Sequence, residues 1–117
     1  MDDVHDLSGD LPAEDAKLVT LARATRARAR AAEGAAVRDL DGRTYAAASV
    51  ALDHLGLTAL EVCVAMALSS GSKGLEAAVV LTEGDEVDLA AARDFAGSDV
   101  PVLVGAPDGR LHTRSTT

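Results

Sequence analysis

Asp41-Gly42 sits between two short runs rich in Ala and Val, "AAVRDL" and "RTYAAASV". An Asp-Gly pair suits the positive-φ positions of a tight turn, and apolar runs on either side of one read as antiparallel strands. This hairpin constrains the fold more than any other stretch, because the rest of the chain must cover the faces it creates. Further on, "LEAAVVLT" and "VPVLVGA" are strand-length apolar runs, with a helical segment from about Leu89 to Ala96 between them. A strand–helix–strand succession implies a right-handed crossover and parallel pairing. A second Asp-Gly turn in "PDGRLHTR" adds a short fifth strand. The expected product is an α/β fold: a five-stranded mixed sheet with helices on both faces.

Two more helices complete the pattern. Pro12 suits a first helical turn, where its missing N–H costs nothing, and the segment from Pro12 to about Ala32 is expected to be helical, with Gly34 ending it. Leu18, Leu21, Ala22, Thr25 and Ala29 recur at helical spacing and predict its buried face. Glu14 and Asp15 near its start and Arg23, Arg26, Arg28 and Arg30 near its end complement the helix dipole. Arg23, Arg26 and Arg30 share one stripe, but no aromatic residue interleaves them for base stacking. A solvated face, screened by the acids upstream, is the expectation. Another helix is expected over Ala59 to Ser69, after a loop. The "SSGSKG" that follows it lacks the glycine spacing and the hydroxyl residue of a phosphate loop.

Composition narrows the function classes. The 117 residues are 48% apolar and suit one compact domain, yet Tyr45 and Phe95 are the only aromatic residues. A thin Ala, Val and Leu core of this kind gains stability by burying a face against another subunit. The net charge of −8 disfavours nucleic acid and anionic membranes. A lone cysteine forms no internal disulfide, which points to a reducing cytoplasm. The acidic start, "MDDVHDLSGDLPAED", has no apolar signal region, and no run has the roughly 18 apolar residues of a membrane helix. Residues 1–11 read as a flexible acidic tail, 12–113 as the domain and 114–117 as a second tail.

The chemically active letters gather in "ASVALDHLGLTALEVCVAMALSS" (residues 48 to 70). Thr58-Ala59-Leu60-Glu61 has the spacing of a capping box, which gives Glu61 a structural role in preference to a catalytic one. Cys63 shares a helical stripe with Leu60, Val64, Ala67 and Leu68 and reads as core. Asp53 and His54 belong to the preceding loop. His5, His54 and His112 have no ligand spacing, and no second cysteine supports a zinc site. From Leu55 to Ser72 the only charge is Glu61, and a helix apolar all round is buried all round. The sheet covers one face only, so the other predicts a homo-oligomer assembled through the apolar helix 59–69.

Three stretches carry a family resemblance, which spans about residues 16 to 113. "GAAVRDLDGRTYAAASV", "LGLTALEVCVAMAL" and "DVPVLVGAPDGRLHT" resemble the first hairpin, central helix and final strand pair of the cytidine deaminase superfamily, in particular its small homo-oligomeric members. The resemblance implies that family's three-layer sandwich. It also implies hydrolytic deamination, in which a zinc-bound hydroxide attacks cytosine C4 and a Glu shuttles protons. The departures fall on the chemistry. Ser49-Val50-Ala51 stands where the family has Asn-x-Glu for the ribose. Leu60 and Val62 stand where it has its first zinc ligand and its proton shuttle. Leu89 and Ala92 stand where it has two cysteines, and of that motif only Arg93 is retained. The loop between the first helix and first strand is shortened to "AAEG", without an aromatic residue.

The expected function is therefore a catalytically inactive deaminase-like protein, an oligomeric structural or interaction module with no catalytic, cofactor-binding or metal residues and no cofactor. Leu60 and Leu89 are expected to fill the former site. The alternatives are an active cytidine or nucleoside deaminase with an atypical site, and a nucleoside- or RNA-binding module without chemistry.

Overall fold

The computed structural model describes residues 11–117. Ten elements follow in order: α1 (Ala13–Ala29), β1 (Gly34–Asp39), β2 (Thr44–Ala48), β3 (Val50–Leu52), β4 (Leu55–Leu57), α2 (Ala59–Ser69), β5 (Leu75–Leu81), α3 (Ala90–Ala96), β6 (Pro101–Gly105) and β7 (Leu111–Thr116). Five strands form one sheet in the order β2-β1-β5-β6-β7. β5 and β6 pair in parallel across α3, and every other pairing is antiparallel. The mixed sheet expected from the two Asp-Gly turns and the central crossover is the one found.

Strand alternation divides the core into two. Ala35 and Val37 of β1, Ala78 and Val80 of β5 and Val102 and Val104 of β6 face α2 and α3. Ala36, Val79, Leu81 and Leu103 face the opposite way, towards Leu18 and Ala22 of α1. Small side chains let the helices approach closely. Gly34 shows the limit: a Cβ there would lie 2.3 Å from the Ala22 carbonyl oxygen and 2.7 Å from Arg26 Cβ.

Several boundaries differ from the sequence expectation. α1 stops at Ala29, and Arg30 takes the left-handed conformation (φ 55°), with its N–H bonded to the Ala27 carbonyl. Gly34 does not end the helix; it opens β1, where the lack of a side chain admits α1. Of the expected α1 face, Leu18 and Ala22 are fully buried, Leu21 and Thr25 half-buried and Ala29 exposed, because the last turn runs past the sheet. The expected loop before α2 contains a second hairpin, β3–β4, pairing Val50 with Leu57 and Leu52 with Leu55 around Asp53-His54. The expected first tail lies outside the described residues except for Leu11, which packs on the α1-side core.

At the other end the domain runs past residue 113. β7 continues to Thr116, pairing Arg114 with Leu103 and Ser115 with Val102. Thr117 is fastened too: its N–H donates to the Val100 carbonyl at 2.9 Å and its hydroxyl to the Gly97 carbonyl at 2.6 Å. Residues 114–117 therefore complete the sheet rather than form a tail. Among the described residues no helix is long and apolar enough to cross a membrane.

Candidate functional site

A cleft of about 530 Å³ opens where the α1–β1 connection, the start of β3, the N-terminus of α2 and the end of β5 converge. Ala32 and Glu33, Ser49, Val50 and Ala51, Thr58 and Glu61 at the helix end, and Thr82, Glu83 and Gly84 all line it. Sheet pairing explains the convergence. Gly34 lies beside Ala48 on one side and Leu81 on the other, so three connections leave the sheet at the same end.

The N-terminus of α2 is closed by two carboxylates, one of its own and one from the α1–β1 connection. The Glu61 N–H donates to the Thr58 hydroxyl at 3.1 Å, and the Thr58 N–H donates to Glu61 Oε1 at 2.8 Å. This is the expected capping box. Glu33 adds what the sequence did not disclose: its Oε1 accepts the Ala59 N–H at 3.3 Å. Glu33 is fixed in turn by Ser49, whose Oγ accepts the Glu33 N–H at 3.0 Å and whose N–H donates to the Glu33 carbonyl at 3.1 Å. Two carboxylates thus complement the positive end of the helix dipole and occupy donors that an anionic ligand would otherwise use.

The other singled-out residues are dispersed. Cys63 is fully buried on the sheet side of α2, its thiol 3.6 Å from the Tyr45 carbonyl oxygen, and burial pushes it up to about 12. Asp53 and His54 are exposed at the β3–β4 turn, and His112 is exposed on β7 beside the Thr113 hydroxyl. His5 lies outside the described residues. Leu68, expected on the Cys63 stripe, is 59% exposed, because in the last turn of α2 that edge has left the cover of the sheet.

A polar cluster lies on the α2 side, at the end of the sheet away from the cleft. Asp39, with no exposed surface, accepts the Asp41 and Arg43 N–H groups at 2.9 Å each on Oδ1. Its Oδ2 accepts the Ser72 hydroxyl, and the Tyr45 hydroxyl lies 3.1 Å from both Asp39 Oδ2 and Ser72 Oγ. Ser72 first, then the two amides and Tyr45, hold the Asp39 carboxyl below its usual range against the opposing effect of burial. The Asp39-x-Asp41 spacing before a turn was a signal for the local half of this cluster; nothing local announces Ser72.

A family model described as "Cytidine deaminase-like" matches residues 11–109. The chain belongs to the cytidine deaminase-like family. Solved structures agree on the fold. The cytidine deaminase from Mycobacterium leprae has a TM-score of 0.67 at 19% identity, over 90% of this chain and 94% of that one. That from Burkholderia pseudomallei has 0.65 at 20% identity, over 87% and 90%. A point mutant of the cytidine deaminase from Mycobacterium tuberculosis has 0.65 at 22%, over 88% and 91%. No curated protein matches the chain.

The resemblance implies zinc, and the residues at the corresponding positions do not fit it. Leu60 is 1% exposed and Ala92 fully buried, both in the α2-side core, and Leu89 packs against that same core. None of the three carries a donor atom in its side chain, whereas a zinc centre takes about three protein ligands. Among the described residues no group of three His, Cys, Asp or Glu side chains is placed to hold a metal ion. Val62, at the position of the proton shuttle, is half-buried against the core, while Glu61 is engaged in the cap. Arg93, retained from the motif, donates through Nε to the Thr117 oxygen at 3.0 Å. The Ser49-Val50-Ala51 stretch lines the cleft.

Proposed function

We propose that this deaminase-like chain is catalytically inactive and works as an oligomeric structural or interaction module of the cytoplasm. One observation carries the reading: of the three positions at which the resemblance puts zinc donors, Leu60 and Ala92 are buried in the α2-side core and Leu89 packs against it. Leucine and alanine side chains have no donor atom with which to hold an ion there. The oligomer reading rests on the outer face of α2, where Ala65 and Leu68 are exposed and Val62 and Met66 half-buried, without a charge among them.

Two measurements on purified, folded protein test this. Metal analysis is expected to give far less than one zinc per chain, and incubation with cytidine to give no uridine. Stoichiometric zinc together with ammonia release would establish instead an active nucleoside deaminase, a hydrolase with an atypical site. For the assembly, Leu68→Lys is expected to lower the mass in light scattering; an unchanged mass removes the α2 interface.

The cleft favours one second reading, a nucleoside-binding module without chemistry. Its volume suits a small molecule, and the Glu33 and Glu61 carboxylates at the helix end favour an uncharged nucleoside over a nucleotide. A thermal shift by cytidine or uridine supports it, and the absence of any shift by nucleosides or RNA removes it.

A further inference from the structure

The outer side of α1 has a regular pattern. After Asp15 the helix contains no acid, while residues 16–32 hold Lys17, Arg23, Arg26, Arg28 and Arg30. At about 100° per residue, Ala13, Ala16, Thr20, Ala24 and Ala27 form an outward ridge, with Lys17 and Arg28 on one flank and Arg23 and Arg30 on the other. All of these residues are exposed. The Thr20 hydroxyl is spent within the helix, donating to the Ala16 carbonyl at 3.2 Å. Asp15 is drawn to the sheet, where it pairs with Arg38 at 3.1 Å. Among the described residues the ion pairs involve only Arg38 and Arg110 as cations.

One segment of the chain complements this face. Residues 1–10 lie outside the described residues, and their sequence, "MDDVHDLSGD", carries four aspartates and no lysine or arginine. Met1, Val4 and Leu7 recur every third residue, with Asp2, Asp3 and Asp6 between them. Apolar and anionic groups thus alternate, as the uncharged ridge and its cationic flanks do. Leu11 fixes where the segment begins, because it packs on the α1-side core. Gly9 and Asp10, just before it, are residue types suited to reversing the chain. At full extension residues 1–10 reach roughly 33 Å, and the 17 residues of α1 span roughly 26 Å. Every cation of the helix is therefore within reach. We propose that residues 1–10 fold back and dock along the outer face of α1, their aspartates set against Lys17, Arg23, Arg28 and Arg30. Tethering gives such a segment a roughly millimolar effective concentration, which favours it over an anion from solution. The net charge of −8 repels polyanions besides. Docked, the segment withholds the arginines of α1 from nucleic acid. This contact depends on neither the α2 face nor the cleft.

A spin label on His5→Cys in the full chain tests this, Cys63 being fully buried. At low salt the label is expected to weaken the amide NMR signals of Arg23 to Arg28 at least about twofold, and high salt to restore them, as for any screened charge contact. Asp2→Asn/Asp3→Asn/Asp6→Asn in the labelled chain is expected to abolish the effect. Arg23→Glu/Arg28→Glu, checked for folding by circular dichroism, is expected to do the same; the aspartate variant decides if the arginine variant is misfolded. Signals that the label leaves undiminished overturn the proposal, as does a weakening that persists in high salt and in the aspartate variant. Labelled chain mixed with unlabelled, isotope-enriched chain separates two occupants: weakening in the enriched chain assigns the face to a second copy and overturns docking within one chain. Binding of a single-stranded RNA oligonucleotide by the wild-type chain, lost in Arg23→Glu/Arg28→Glu and no tighter in the aspartate variant, overturns it in favour of nucleic acid.

Discussion

Thr58 and Glu61 exchange two hydrogen bonds across the first turn of α2, each residue's backbone N–H donating to the other's side chain. The exchange matters functionally because Glu61 adjoins the position at which deaminase resemblance would put a proton shuttle. One residue along a helix is a turn of about 100°, and Glu61 uses its reach for the cap. Glu61→Ala and Thr58→Ala are each expected to cost about 1 kcal/mol in denaturant unfolding. Glu61→Gln, which retains an acceptor, is expected to cost less. If cytidine turnover is found and Glu61→Gln abolishes it with stability unchanged, Glu61 is catalytic and the cap is incidental.

Gly34 joins helix and sheet at the wall of the cleft. A methyl group there meets backbone at 2.3 Å, and the Ala22 carbonyl is held within α1. Gly34→Ala is therefore expected to lift α1 from β1 and cost at least about 1–3 kcal/mol, as overpacking does. Gly42→Ala serves as a contrast, since nothing lies within 4 Å of its would-be Cβ and only its positive φ of 85° is strained. The thermal melting temperature of both variants measures the difference.

The two glycines also show what was legible beforehand. Gly42 announces itself through Asp41 and the flanking strands, all within a few residues, so the β1–β2 hairpin follows from local rules. The Thr58–Glu61 cap is local in the same way. Gly34 opens β1 rather than ending α1 because a helix crosses over it, which no window of sequence contains. Glu33 with Ala59 and Asp39 with Ser72 are separated by 26 and 33 residues, and only the folded sheet brings them together. The β3–β4 hairpin escaped because its strands have three residues each and Asp53-His54 is not a characteristic turn pair. For the site, the apolar letters Leu60, Leu89 and Ala92 were legible only through the resemblance. That the first and last are core and that Leu89 packs on them is a matter of packing.

Asp39 is expected to make the fold acid-sensitive. Its folded-state carboxyl lies below the ordinary value of 3.8, so between the two values the unfolded chain binds more protons. The stabilisation is then fully present above about pH 4 and is lost as pH falls through the lower, folded value. Asp39→Asn replaces an acceptor oxygen with a donor facing donors, and is expected to cost about 1–3 kcal/mol at neutral pH. Unfolding measured from pH 7 down to pH 2 is expected to show a shallower acid slope in the variant than in the wild type. Equal slopes would remove Asp39 as the cause.

Cys63 gives the opposite sign at the other end of the pH scale. Burial raises its thiol from the ordinary 9.0 to about 12, so the folded protein retains a proton that the unfolded chain has released. Its contribution to stability is complete below about pH 9 and declines as pH rises towards the folded value, because the unfolded state binds fewer protons there. As a neutral, fully covered thiol it is also expected to be inert: a thiol reagent at pH 8 should label it only at the rate of unfolding, and at once in denaturant. Cys63→Ala, which leaves a small cavity, is expected to cost about 1 kcal/mol and to flatten the alkaline slope. Rapid labelling of the native protein would show that the α2–sheet interface opens far more readily than a packed core allows, and would bring the thiol back as a reactive group.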